Sequence, residues 1–424
     1  MSHTTTPDHR RKGYSLAPLL VSCLVLTSLL LAISPNYRWN AHKGDSPYGS
    51  DFLQEWTAAS MIGAGHAGEI YQAAAFDAWQ HDPQRIGFDW NEDSYYPAVY
   101  PPVYYWLCTP VHWIEYRWAV RLWLGLSMLA LLAAAAVIHR ALQKPAMPAW
   151  FWPAMLLFPP VLLGLTMGQK GPIWLLLCSL AWLLMRGGRP LLAGLVFGLL
   201  SIKPTLFFLL PLVMLRHGQW RFVSGASLSW AGLWGTAAVA LPSHVWSDFL
   251  AVARSAGDYH QHAGYQWLWS SNLRSLVAGL PQWLPWWASN LLWIVPASYV
   301  VGRIAVQRQF CLKHPCDLCQ VLLATCLLSP HFYAYDLVVL VLPICGMWHS
   351  HRRTAVFILA GLWLGMLASQ PCLSTLGLPL MPVVLLAQFY WLSTVNPGQS
   401  SVRKGVSGRP AASYMLQTGL SAQA

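Results

Sequence analysis

Trp118-Ala-Val-Arg-Leu-Trp-Leu-Gly-Leu-Ser-Met-Leu-Ala-Leu-Leu-Ala-Ala-Ala-Ala-Val-Ile138 is the stretch that decides the fold class. Arg121 is its single charge. At about 1.5 Å per residue, a helix of this length reaches across the roughly 30 Å of a bilayer's hydrocarbon core. Further apolar runs long enough to cross, or nearly so, occupy 16–33, 149–166, 172–185, 222–241, 284–301, 331–348, 354–369 and 375–394. Shorter pieces at 101–113, 190–202, 204–215 and 318–329 need neighbours or a thinned bilayer to cross. The composition agrees. Of 424 residues, 56% are hydrophobic and 10% charged, against about 25% charged in soluble domains. The 25 Trp and 17 Tyr suit two membrane–water interfaces. An ordinary cytosolic enzyme, a disordered chain and a disulfide-stapled secreted chain are excluded, and an all-α polytopic membrane protein is expected.

The net charge of +11 is distributed in a way that argues against nucleic acid as a partner. Arg186/Arg189, Arg216/Arg221, Arg303/Arg308/Lys313 and Arg352/Arg353 sit in short loops between apolar runs, the positive-inside pattern. Nine of the 15 acids crowd one stretch: Asp45, Asp51, Glu55, Glu69, Asp77, Asp82, Asp89, Glu92 and Asp93. Parity then predicts about twelve spans. Residues 1–15 are inside, 16–33 form the first span, and 34–117 make a large outer loop. A bundle at 118–241, a second outer loop at 242–283, a bundle at 284–394 and a flexible inner tail at 395–424 follow. The first run trails Arg10-Arg11-Lys12 and has no small-x-small cleavage site before Pro35, so an uncleaved span is expected. The pieces 190–202 and 204–215 cross out and back with Lys203-Pro204 at the outer turn. The piece 101–113 stays along the outer leaflet.

Several outer-side residues could carry chemistry. Asp51, in Ser50-Asp51-Phe52-Leu53-Gln54-Glu55-Trp56, opens a short amphipathic helix expected at the membrane surface. A carboxylate fixed there can take a proton from a hydroxyl; equally, it can be an N-cap with Glu55 one turn on. Tyr95-Tyr96-Pro97-Ala98-Val99-Tyr100-Pro101-Pro102 is a stiff, aromatic entry into the membrane or a structural corner. Gly168-Gln169 and Ile202-Lys203-Pro204 break apolar segments. An ammonium within the bilayer's span calls for an anion such as a lipid phosphate, or snorkels to the interface. Ser329-Pro330-His331 up to Asp336 puts an imidazole and a carboxylate at the mouth of a span. The nine Cys show no disulfide framework. Cys311-Leu312-Lys313-His314-Pro315-Cys316-Asp317-Leu318-Cys319 looks metal-like at first, but its spacing is irregular and no second CxxC pair exists, so no metal is expected there. No cofactor motif is present. His349 and His351, beside Arg352, are expected to face headgroups.

In this order the pieces resemble glycosyltransferase family 87, within the GT-C superfamily of polyprenyl-phosphate-sugar-dependent enzymes. The resembling stretches are Asp51-Phe52 with its Ala-rich helix, Gly68-Glu69-Ile70-Tyr71, Tyr100-Pro101-Pro102, Gly168-Gln169, Ala193-Gly194 through Lys203-Pro204, Ser329-Pro330-His331 and Tyr335-Asp336. They cover roughly 45 to 350. The resemblance implies a GT-C fold in the bacterial inner membrane and an inverting transfer, on the outer face, from a polyprenyl-phosphate sugar to a glycolipid or glycan. Mannose is favoured, by likeness to α-1,2-mannosyltransferases. It assigns the catalytic aspartate to Asp51 and a donor-phosphate site to Lys203 and His331, with Arg274 as a second contact. Glu55, Tyr100, Gln169, Asp336, Trp269 and Asn272 are expected to line the substrate. Two departures, Trp56 after the aspartate and Phe332-Tyr333-Ala334 after the histidine, bear on the acceptor. The rival reading is a transporter or flippase, which broken helices and an intramembrane Lys also fit. The absence of a visible repeat and the one-sided acids speak against it.

Overall fold

The run at 118–138 folds inside a 27-residue helix, Tyr116–Leu142. Its Trp118, Leu122, Leu126 and Leu129 form an exposed stripe at helical spacing, while Ala119, Val120, Leu124, Leu131 and Ala134 are buried. An apolar stripe left uncovered along a long helix is the lipid face of a membrane protein. The computed structural model describes residues 42–43, 46–91, 94–142, 147, 151–255, 270–277, 284–329, 331–348 and 350–395. The expected first span at 16–33, His349, Trp269 and the tail beyond 395 lie outside the described residues.

Among the described residues, three helices are long and apolar enough to cross a membrane: Tyr116–Leu142, Trp287–Val306 and Arg352–Ser369. Shorter apolar helices are Gly171–Arg186, Pro190–Ile202, Pro204–Arg216, Pro315–Leu328, Ala334–Met347 and Leu380–Thr394. The run at 222–241 forms the helix Trp220–Ala240, where Ser, Gly and Thr interrupt the apolar residues. Among the described residues, strand pairing is confined to a two-residue antiparallel ladder, His42–Lys43 against Ser46–Pro47, and one bridge, Ser270 to Tyr333.

Small residues set the packing of the middle helices. A Cβ on Gly194 would lie 2.0 Å from the Phe222 carbonyl oxygen, and one on Gly225 2.2 Å from that of Leu191. One on Gly198 would lie 2.6 Å from the carbonyl of Ala226. Backbones this close need glycine, as at helix pairs within membranes. The order of these contacts makes Pro190–Gly198 and Trp220–Ala240 parallel neighbours. The intervening chain must therefore run back, and it reverses at Lys203, whose extended backbone (φ −118°, ψ 83°) separates Leu199–Ile202 from Pro204–Phe207. Arg186, Arg189, Arg216 and Arg221 thus gather at one end of the bundle. Gln169, Lys170 and Lys203 lie at the other.

One expectation is corrected. Helix Ser50–Gly63 is not amphipathic at a surface: Phe52, Leu53, Gln54, Glu55, Trp56, Thr57, Ala58, Ala59 and Met61 are all buried. Pro102–Cys108 and Thr109–Trp113 pack on it, and the Trp56 indole donates to the Ile114 carbonyl at 2.8 Å. The short piece 101–113 therefore roofs the helix that carries Asp51.

Candidate active site

Two left-handed glycines bring the site together. Gly49 (φ 67°) precedes Ser50–Gly63, and Gly168 (φ 70°) precedes Gln169. A Cβ on Gly168 would stand 2.8 Å from the Phe52 Cβ and 3.0 Å from the Gly49 carbonyl oxygen. One on Gly49 would stand 2.6 Å from Val120. Only glycine tolerates both this backbone conformation and this approach. The Trp123 indole donates to the Gly168 carbonyl at 2.7 Å and fixes the turn.

Asp51 is not an N-cap. Gly49 holds that position, and the helix has no side-chain cap. The Asp51 amide donates to the Met167 carbonyl at 3.1 Å, and its Oδ2 accepts from the Gln169 amide. The Tyr100 hydroxyl reaches the Gln169 Oε1 at 3.5 Å. One turn along the helix, Glu55 pairs with Lys170, both buried. The Lys170 ammonium lies over the Tyr100 ring at 4.0 Å and the Tyr104 ring at 5.2 Å, which adds cation–π attraction to the ion pair. The tyrosines are held in turn: Tyr71 donates to the Tyr100 carbonyl at 2.5 Å, and Tyr105 donates to Gln54 at 3.0 Å.

A second buried pair joins Lys203 to Asp336. The carboxylate of Asp336 also accepts from the Tyr333 amide at 3.3 Å, closing a capping box at the start of Ala334–Leu340. Lys203, expected to meet a substrate anion, therefore has a protein anion as its partner. A Cβ on Gly171 would lie 3.0 Å from the Tyr335 carbonyl, so this turn sits against the start of Gly171–Arg186, beside Gln169 and Lys170.

The third group is the segment 270–277. The Ser271 amide donates to the Phe332 carbonyl at 2.8 Å, and buried Asn272 donates to the Ser270 hydroxyl at 2.9 Å. This lays Arg274, which is exposed, within electrostatic reach of half-buried His331. Asn272 is thus engaged in shaping its own turn.

Electrostatics link the groups. Burial pushes the Asp51 carboxyl above its ordinary range, and the Gln169 hydrogen bond and Lys170 charge draw it only partly back. Asp336 and Lys203 also act on it, with opposite signs. Burial likewise pushes Glu55 up to about 7, against the pull of Lys170. A carboxylate made more basic by its burial and still partly exposed suits a proton acceptor. Lys170 carries the same sequence signal as Lys203, an ammonium at a break between apolar runs, one residue beyond Gln169.

The model of glycosyltransferase family 87 matches residues 98–330. The chain belongs to that family. No curated protein and no solved structure matches it. Family membership makes the protein a glycosyltransferase. Tyr100, Gln169, Lys170, Lys203 and Arg274 lie within the family 87 match. Asp51, Glu55 and Asp336 lie outside it, yet each is bonded to a residue within it: Asp51 to Gln169, Glu55 to Lys170, and Asp336 to Lys203.

Proposed function

We propose that the protein transfers a hexose, mannose first among candidates, from a polyprenyl-phosphate sugar to a glycolipid or polysaccharide acceptor, with inversion, at the outer face of a bacterial inner membrane. The observation that carries this reading is the Asp51 carboxylate, which caps no helix, is raised by its burial and remains partly open beside Gln169. In the reaction an Asp51 oxygen takes the proton of the acceptor hydroxyl. The hydroxyl oxygen attacks C1 of the sugar, the bond from C1 to the phosphate oxygen breaks, and its electron pair leaves on the phosphate. Charge develops on the leaving phosphate, so fixed cations stabilise the transition state. Lys203 has three donors and uses one on Asp336. Its others, with Arg274 and His331, would receive the phosphate. Tyr100, Glu55, Gln169 and Asp336 shape the sugar side, and the prenyl chain lies in lipid. The outer loop 34–117 is the catalytic loop in this topology.

The test is a transfer assay on purified protein in lipid with a panel of synthetic polyprenyl-phosphate sugars, following release of polyprenyl phosphate. Acceptor-dependent release by wild type, lost in Asp51→Asn, is the expected result, and the active donor names the sugar. Equal release by the variant would remove Asp51 from the mechanism.

A further inference from the structure

At the other end of Gly171–Arg186, about 16 Å along the helix from Gly171, the Trp182 indole donates to the Leu312 carbonyl at 3.0 Å. Asp317 fastens the same loop: its carboxylate accepts from the Cys311 amide at 2.9 Å and from the Gln307 side chain at 3.3 Å. The turn closes with the His314 amide donating to the Cys311 carbonyl at 2.8 Å, and His314 then precedes the helix Pro315–Leu328. Opposite it ends Val341–Met347. A Cβ on Gly346 would come within 2.6 Å of the Pro315 Cβ, so glycine lets the two segments touch. Just beyond, the His351 amide donates to the Met347 carbonyl at 2.7 Å, folding the chain back toward His314. The rings of His314 and His351 meet edge to face with centroids 5.7 Å apart. One nitrogen from each and the Cys316 sulfur all lie within 4.8 Å of one another. Cys316 is buried, and the histidines are half-buried.

We propose that His314, Cys316 and His351 form a divalent-metal site of the zinc class, with three protein ligands and one open position, separate from the transfer chemistry. Two imidazoles and a thiolate are the borderline-soft donor set that zinc selects. In a tetrahedral zinc site the nitrogens stand about 3.3 Å from each other and about 3.5 Å from the sulfur, given Zn–N near 2.0 Å and Zn–S near 2.3 Å. The remaining gap, at most about 1.5 Å, closes by rotating the half-buried imidazoles. Water fills the fourth position. On binding, the Cys316 thiol gives its proton to solvent and both histidines ligate as neutral rings. The ion would tie the 307–314 loop to the turn before Arg352. The spacing of Cys311, Cys316 and Cys319 hid this set because one of its ligands arrives from a different segment.

The experiment uses the full-length purified protein, loaded with Zn²⁺ or Co²⁺ and freed of loose metal. Metal per chain is measured by mass spectrometry, and the cobalt form by its absorption spectrum. About one metal per chain, with the thiolate-to-cobalt band of a tetrahedral site, is expected for wild type. Cys316→Ser and His351→Gln should each drop below a tenth of the wild-type content and lose that band. His351→Gln guards against misfolding of the buried cysteine variant, and its chromatographic profile should match wild type. Wild type holding less than a tenth of a metal per chain overturns the proposal. So does a His351→Gln variant with wild-type content and the same cobalt spectrum.

Discussion

The two buried lysine–carboxylate pairs at the site end of the bundle differ in what surrounds them. Lys203 and Asp336 fasten a turn. The carboxylate closes the turn at Tyr333, and the ammonium sits where the chain reverses between two apolar helices. Glu55 and Lys170 are one turn from Asp51, walled by Tyr100 and Tyr104, with Gln169 as the residue that touches both Asp51 and Tyr100. The first pair holds backbone, and the second lies beside a carboxylate that holds none. In the proposed mechanism the second pair tunes Asp51, while the first holds its turn and keeps ammonium donors for the phosphate.

The largest effect should fall on Asp51. Asp51→Asn keeps an oxygen for the Gln169 donor, so the fold is expected to survive while transfer drops by about 10²–10⁴-fold, the usual worth of a general base. Single-turnover release of polyprenyl phosphate reads this directly. The Lys203–Asp336 pair should respond in the opposite sense. Lys203→Met leaves a buried carboxylate unpaired and should cost about 3–5 kcal/mol of stability. Lys203→Met combined with Asp336→Leu should recover most of that loss in thermal unfolding. If the double variant is as unstable as the single one, the pair is more than a fastening, and the contrast with Glu55–Lys170 weakens.

The glycine contact that joins Asp51 to Gln169 comes next. Gly168→Ala forces a left-handed alanine and drives its Cβ toward Phe52. About 1–3 kcal/mol of stability should be lost. Displacement of Gln169 should reduce transfer by about 10–100-fold. A variant that loses stability but keeps full transfer would show that the Gln169 contact is dispensable.

The long apolar runs were legible because hydropathy and length suffice to mark them, and Lys203-Pro204 because a charge followed by proline breaks such a run. Asp51 and Gln169 could each be singled out, but not their contact, which depends on two left-handed glycines far apart in sequence. The role of Lys170 is hidden for the same reason. Its buried partner Glu55 reads in sequence as a residue one turn into an exposed helix. The burial of that helix comes from the later piece 102–113, whose proline-rich start gives no periodic pattern to pair with it. Likewise the sequence places Asp336 at the mouth of a span but not its contact with Lys203. Its ion pair needs the reversal at Lys203, which fixes what the ammonium faces.

The smallest effect at neutral pH should come from Glu55→Gln, and pH is the variable that reveals it. Burial raises the Glu55 carboxyl from an ordinary 4.5 to about 7 in the folded protein. Its contribution to stability is therefore fully present below pH about 4.5, declines as pH rises, and is lost by about 7. Wild type should lose stability across that window, and Glu55→Gln, which cannot ionise, should lose less. Near pH 7 only part of the wild-type population is charged there, so activity at that pH should change little. Asp336→Asn instead leaves the buried Lys203 ammonium without its carboxylate, and the expected cost there is that of an unpaired buried charge. A Glu55→Gln protein whose stability follows pH as steeply as wild type would move the titration elsewhere, and would make the two pairs alike.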